Sequence, residues 1–450
     1  MDVLILSRLQ FAFTASFHYL FPPMSIGLSW MIVIMEGMFM WTKKEKYRQI
    51  TKFWTKIFAL FFAMGVATGF VQVFAFGNNW SSFSKFVGNV FGTLLAAEGV
   101  FAFFLEAGFI GIMLFGWNRV KPATHYLATI LVSIGATFSA TWIVMANSWM
   151  QTPAGFKIIG EGPNMRAVIT NLWDVYFNPS FVDRICHVLL GCGLLGVFLL
   201  MSISSFYILQ KKHREFAEFT LKFSLVISFV FLSLQLISGD SSAKGVAENQ
   251  PAKLAAMEAL FETKAHAPFT LIGYVDAENK TVKGIAIPSL LSFLIYYDAN
   301  EAVKGLNEFA ESDWPNVPLV FYSYRTMVYS WCAMMLYSVV GLILWRLGNL
   351  KTQRWYLWLA VFSVFFPYLA NIAGWFTAEL GRQPWIVYNV MRTSDGVSTV
   401  LHADHVQRSI LMFIVIYALL GSLFVFLLTR KIHEGLAEEG KETQYRDVWN

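Results

Sequence analysis

The stretch Gly374-Trp375-Phe376-Thr377-Ala378-Glu379-Leu380-Gly381-Arg382-Gln383-Pro384-Trp385 closes a strongly apolar run that begins near Trp355. A carboxylate just inside hydrocarbon is costly unless something pairs with it, so Glu379 demands a partner. Arg382 follows it by one helical turn, and Trp375 precedes it by one turn on the same face. Pro384 forbids the helix from continuing. A capped helix end with interfacial aromatic anchors accounts for both tryptophans and for Arg382, but poorly for Glu379. The stretch therefore reads as the end of a membrane helix that carries a functional carboxylate.

The rest of the chain has the same character. Of its 450 residues 56% are hydrophobic, 17% aromatic and only 14% charged, and its mean hydropathy is +0.52. No soluble domain needs so much apolar surface. Windowed hydrophobicity predicts about nine spanning helices, over 11–40, 53–77, 91–117, 123–150, 184–210, 218–238, 319–346, 355–380 and 408–430. The fold class is all-α, a polytopic transmembrane helical bundle, with lipid as its solvent and no nucleic-acid partner. The N-terminal apolar run reaches full spanning length and is not a cleavable signal. Cys186, Cys192 and Cys332 form no CxxC, no haem-attachment CxxCH and no disulfide framework.

Charge sets the topology. Lys43, Lys44, Lys46, Arg48 and Lys52 follow helix 1, Arg119 and Lys121 follow helix 3, Lys211, Lys212 and Arg214 follow helix 5, Arg346, Lys351 and Arg354 follow helix 7, and Arg430 and Lys431 follow helix 9. With nine helices these basic loops share one side, which the positive-inside rule makes cytoplasmic, leaving the N-terminus outside. The outer connections are Ser81–Asn89, Gln151–Asp183 and the long Gly239–Pro318, where Lys253–Phe261 has an amphipathic helical pattern too polar to span. The chain thus divides into helices 1–6 (1–238), an extracytoplasmic loop (239–318), and helices 7–9 with a charged, solvated tail after His433 (319–450).

Histidine in hydrocarbon is rare and usually a ligand or relay member. Six of the eight fall in loops or at helix edges, His125 among them. His18, in the first turns of helix 1, and His187, in the first turn of helix 5, both enter from outside. Met327 starts helix 7 in the same layer, and a His/Met pair across two helices is an axial set for an electron-transfer haem. His18, His187, Met327 and Glu379, from four helices walled by Trp and Phe, suit haem iron better than zinc or magnesium. Helix 3 adds Glu98 and Glu106, just over two turns apart and expected on one face. Two buried carboxylates call for protonation or a hydrogen-bonded chain, and Ser139 and Asn147 of helix 4 could line the same seam. A proton- or ion-coupled transporter with a carboxylate relay through Glu98, Glu106 and Glu379 is the competing class. It explains the acids but not the His/Met layer.

GWFTAELGRQPW resembles the signature near the carboxyl end of subunit I of the cytochrome bd quinol oxidases. Phe11–Leu20 (FAFTASFHYL), Gly65–Gly69 (GVATG), Glu98–Glu106 (EGVFAFFLE), Ala146–Pro153 (ANSWMQTP) and Lys253–Glu258 (KLAAME) resemble further segments of that family, in its order. The resemblance implies a prokaryotic cytoplasmic-membrane enzyme that oxidises quinol and reduces dioxygen to water. It implies His187 and Met327 as the axial pair of a low-spin haem b, with Arg325 near its propionates. His18 and Glu379 would ligate two high-spin haems, a haem b and either haem d or a further haem b. It implies Trp375 between haems, Glu98 and Glu106 as proton-path carboxylates with Ser139 and Asn147 as lining, Arg382 beside Glu379, and Lys253 and Glu258 at the quinol. The chain between Glu258 and Met327 is short, as in the short-loop branch. A second large membrane subunit, subunit II, is implied as partner, with small single-span subunits.

Overall fold

The computed structural model describes residues 2–436. The helices in chain order are α1 (Val3–His18), α2 (Pro22–Thr42), α3 (Glu45–Asn78), α4 (Ser81–Ala97), a π-helical segment (Glu98–Phe103), α5 (Phe104–Phe115), α6 (Pro122–Gln151), α7 (Leu172–Tyr176), α8 (Phe181–Gln210), α9 (Arg214–Asn249), α10 (Pro251–Glu258), α11 (Leu290–Tyr296), α12 (Val317–Arg346), α13 (Arg354–Phe362), α14 (Phe365–Leu380), α15 (Thr393–Gly396) and α16 (Ala403–Glu434). Among the described residues nine helical stretches are long and apolar enough to cross a membrane, agreeing with the number expected from hydropathy. The strands are confined to antiparallel pairs in the connections. They are β1 (Phe156–Ile159) with β2 (Arg166–Ile169), β3 (Lys264–Ala265) with β6 (Ala302–Val303), β4 (Phe269–Asp276) with β5 (Thr281–Ile287), and β7 (Trp385–Val387) with β8 (Met391–Arg392).

Several boundaries differ from those expected. The first span is two helices, because Pro22 and Pro23 cannot donate backbone N–H groups into a continuing α1. His18 is therefore the last residue of α1, not a first-turn residue. Ser81–Asn89 is no loop but the start of α4. The eighth span breaks at Ser363 and Val364, between α13 and α14. α9 continues through Asn249 instead of ending near residue 238. Its polar outer turns are held by the Ser241 hydroxyl donating to Asp183 at 2.6 Å and by Lys244 pairing with Asp240 at 2.5 Å. The charged tail beyond Leu436 lies outside the described residues.

α8 is the axis of the bundle. Every residue from Gly191 to Ser205 is buried, the pattern of a helix enclosed on all sides. It packs on α2, α6, α9, α13 and α14. Small residues let backbones meet: a Cβ built on Gly27 of α2 would fall 1.8 Å from the Cys192 carbonyl oxygen, and one on Gly196 2.4 Å from the Gly27 carbonyl carbon. Close small-residue crossings of this kind hold membrane helices together by dispersion, since lipid offers no hydrophobic drive between them. α16 is almost bare along its length. Gly27→Ala should lower the apparent melting temperature in detergent, since overpacking costs about 1–3 kcal/mol. An unchanged melting curve would contradict the crossing.

Candidate functional site

Glu379, in the last turn of α14, has the partners it requires. Its Oε1 accepts from Asn147 Nδ2 of α6 at 2.8 Å, and its Oε2 accepts from Arg382. Arg184, in the first turn of α8, donates to Asn147 Oδ1. Lys253 of α10 donates to Gln151 Oε1 at 2.6 Å and to Gln250. Arg382 and Lys253 are each 3% exposed. One carboxylate thus faces three cations, two of them buried and Arg184 half-buried. Burial pushes the Lys253 ammonium well below its ordinary range; Arg184 and Arg382 push the same way, and Glu379 opposes them. Burial also lowers the Arg382 guanidinium, against the pull of Glu379.

A second buried pair lies on the long connection between α9 and α12. Glu258, ending α10, accepts from Arg325 Nη2 at 2.5 Å, and both side chains are buried. The Arg325 guanidinium lies over Phe269 at 4.4 Å, Phe321 at 4.8 Å and Tyr324 at 5.1 Å. Burial raises the Glu258 carboxyl, while the charge and hydrogen bond of Arg325 oppose it. Glu258 and Lys253 are thus enclosed by protein partners instead of opening onto the surface.

His18, His187 and Met327 share one level with Trp375. Gly191 meets Asn371, where an added Cβ would lie 2.9 Å from Oδ1. α8 and α14 run in opposite directions, so His187, one turn before Gly191, comes level with Trp375, one turn after Asn371. The Met327 sulfur is 2.9 Å from where a Cβ on Gly374 would stand. Tyr19, next to His18, stacks near Trp375 with ring centroids 6.4 Å apart. Glu379 lies one further turn along α14.

Each of these three donors faces a glycine. Besides Gly374 at Met327, a Cβ on Gly69 would lie 3.3 Å from His18 Cε1, and one on Gly239 3.7 Å from His187 Cε1. His18 Nδ1 bonds Thr68 Oγ1 at 2.8 Å, and His187 Nε2 lies 3.0 Å from Gln235 Nε2. Among the described residues, Arg184 Nε, Arg382 Nη1, Arg325 Nε and Gln235 Oε1 are buried with no hydrogen-bond partner. Side-chain-free cradles beside nitrogen and sulfur donors, with unmatched guanidinium N–H groups nearby, fit a large flat group bearing carboxylates.

The polar seam runs along α6. Ser139 donates to Glu98 Oε1 at 2.9 Å. Glu106 packs on Gly135, where a Cβ would fall 2.6 Å from its Cγ. In a regular helix eight residues overshoot two turns by about 80°. The π segment at Glu98–Phe103 holds more residues per turn and removes part of that overshoot, so both acids face α6. At the basic end of α6 the seam continues into a cluster absent from the expectations. His125, set aside as a helix-edge residue, is buried: its Nδ1 bonds Glu36 Oε1 at 2.6 Å and Thr129 donates to Glu36 Oε2 at 2.7 Å. Ser133 with Ser29 at 2.9 Å and Thr137 with Trp30 at 3.0 Å carry polar groups onward. Arg184, Gln151 and Gln235 were also missed. Arg184, one turn before His187, carries a readable spacing signal; the two glutamines carry none.

A half-buried layer of donors toward one end of a polytopic helical bundle, with a polar seam leading to it, defines the class. A family model described as cytochrome bd terminal oxidase subunit I matches residues 6–436. The cytochrome bd ubiquinol oxidase subunit 1 of Bacillus subtilis (strain 168) is 39% identical over 446 residues, covering 97% of this chain and 94% of that protein. The cytochrome bd-II ubiquinol oxidase subunit 1 of Escherichia coli (strain K12) is 33% identical over 500 residues, covering 95% and 96%. The bd oxidase structure from Geobacillus thermodenitrificans superposes with a TM-score of 0.89 at 31% identity, covering 96% of this chain and 99% of that one. The chain belongs to the cytochrome bd terminal oxidase subunit I family.

Lys253 gives a pH test. Its folded-state pKa lies below the unfolded value, so between the two the unfolded chain binds more protons and stability rises with pH. Lys253→Met should therefore stabilise most near neutrality, with the gain over the native chain shrinking toward about pH 10. A difference in melting temperature independent of pH would contradict this.

Proposed function

We propose that the chain is the haem-bearing subunit of a quinol:oxygen oxidoreductase in a bacterial cytoplasmic membrane, partnered by a second large subunit and by small single-span ones. The observation that carries the reading is the set of glycine cradles facing His18, His187 and Met327 at one level beside Glu379. In this reading His187 and Met327 would hold a low-spin haem b whose propionates Arg325 would pair with, and His18 and Glu379 would hold a high-spin haem b and a haem d or further haem b, with Trp375 in the same layer. Haem iron at these positions supplies one-electron transfer and dioxygen binding.

The chain's own residues move and hold protons. Burial raises the proton affinity of Glu258 and Arg325 opposes that rise, which suits a group that accepts a quinol proton. Lys253, held by two neutral glutamines, is placed to orient a quinol oxygen once one of them gives way. Protons for water travel from the basic side along α6, past Glu36–His125, Ser133, Glu106 and Glu98–Ser139, to Asn147 and Glu379. With the N-terminus and the loop outside, as the basic loops argue, quinol protons leave on the outer side and water protons come from within. That separation builds a membrane potential without pumping. The acids that a transporter would use form this same route, and they end at the donor layer.

A dithionite-reduced optical spectrum of the purified complex tests the reading: haem bands are expected, with a chlorin band marking haem d, and their absence would sink it. His187→Ala should remove the low-spin signal. Glu258→Gln should slow quinol oxidation about a hundredfold while dithionite still reduces the haems; unchanged quinol turnover would remove Glu258 from the reaction. Glu106→Gln should slow oxygen consumption and leave the spectrum as it was.

A further inference from the structure

The β4–β5 hairpin presents an apolar face that the bundle does not cover. Ile272 and Ile285 pair across it and are 64% and 65% exposed, with Ile287 exposed beyond them. Two tyrosines of α12 fix its position. The Tyr322 hydroxyl accepts from Val275 N at 3.2 Å, and the Tyr329 hydroxyl donates to the Leu271 carbonyl. These tyrosines are two turns apart, so β4 runs down the outer wall of α12 with Phe269 deeper than Asp276. The turn is held at the start of α12, where Lys280 pairs with Glu311 at 3.3 Å and covers Trp314 at 4.8 Å.

Depth follows from length. About 20 residues cross the hydrocarbon. Counting back from Arg346, at the basic end of α12, puts the far boundary near Thr326, so Tyr329 and the strand end bonded to it reach the acyl region. The exposed Leu336 and Ile343 of α12 belong to the same lipid-facing wall, and the hairpin continues it. The outer edge of β5 is unpaired and could not sit deep in hydrocarbon; the headgroup–acyl boundary, where water still reaches, tolerates it. Phe269, at the deep end, separates this face from the buried pair, for Arg325 stacks on its ring while holding Glu258.

The geometry points to a lipid-seated hairpin: outer-leaflet acyl chains cover Ile272, Ile285 and Ile287, and Phe269 is the membrane-side gate to the Arg325–Glu258 pair. The gate rests on the quinol reading above; the lipid contact does not. The test uses the whole oxidase complex in nanodiscs of phosphatidylethanolamine and phosphatidylglycerol, with the three native cysteines replaced by serine. A nitroxide on Ile285→Cys should relax more with oxygen, which partitions into acyl chains, than with a water-soluble nickel chelate, and one on Glu278→Cys in the turn should do the reverse. Chelate dominance at residue 285, or access to neither reagent, as under another subunit, would overturn the lipid contact. Ile285→Asp should raise KM for an isoprenoid quinol severalfold, leaving its kcat and the KM for tail-less duroquinol unchanged. Equal shifts for both quinols, or none, would overturn the gate. A native complex that oxidised neither quinol would sink the oxidase reading itself, with the spin-label depth still deciding the lipid contact.

Discussion

Charge that cannot reach water governs one end of this bundle. Moving a single ion out of water costs several kcal/mol even after relaxation, yet Glu379, Arg382, Arg184 and Lys253 are gathered there, Arg382 and Lys253 buried and Glu379 and Arg184 half-buried. They survive only as a network, and the network dictates where distant segments lie. Glu379 closes α14, Arg184 opens α8, Asn147 and Gln151 end α6, and Lys253 sits on α10. The Glu258–Arg325 pair adds a second tie between α10 and α12. The first helix of the long connection between α9 and α12 is thereby anchored to the helical bundle by two buried charges, which is why a polar loop segment is among the most enclosed parts of the chain.

The network also bears on chemistry. Three cations around one carboxylate leave a positive excess, and three of the arginines keep an N–H without an acceptor. Both features favour an anionic group nearby. The glycines opposite His18 and Met327 add shape to that electrostatic preference, since each withholds a carbon atom that would crowd the donor, while Gly239 leaves open space beside His187.

Much of this was legible in the sequence, for identifiable reasons. Nine spans could be counted because each is a long apolar run, and the need of Glu379 for a partner was visible because Arg382 stands three residues away. Asn147 and Lys253 could not be read as its neighbours, since their closeness depends on which helices pack together. Pro22 and Pro23 announced the break that moves His18 to the end of α1, yet the hydropathy window smoothed over it. The last turns of α9 looked like loop because Asp240, Ser241, Ser242 and Lys244 are polar; Asp183 and Tyr297 tie Ser241 and Asp240 from outside the helix, and Lys244 pairs with Asp240 within it. The π segment left no trace in residue type, so the alignment of Glu98 with Glu106 rested on a spacing that a regular helix would not have satisfied.

The contact of Gly27 with Gly196 has a mechanical consequence. α8 carries His187 nine residues, or about 14 Å, from that crossing, and α2 leads back toward the break beside His18. With backbones touching and no side chain between them, the crossing behaves as a fulcrum, with His187 on the α8 arm and His18 just across the break from the short α2 arm. A tilt of a few degrees at this pivot moves His187 by about half an ångström or more, so the spacing of the donors is set well below the layer in which they lie.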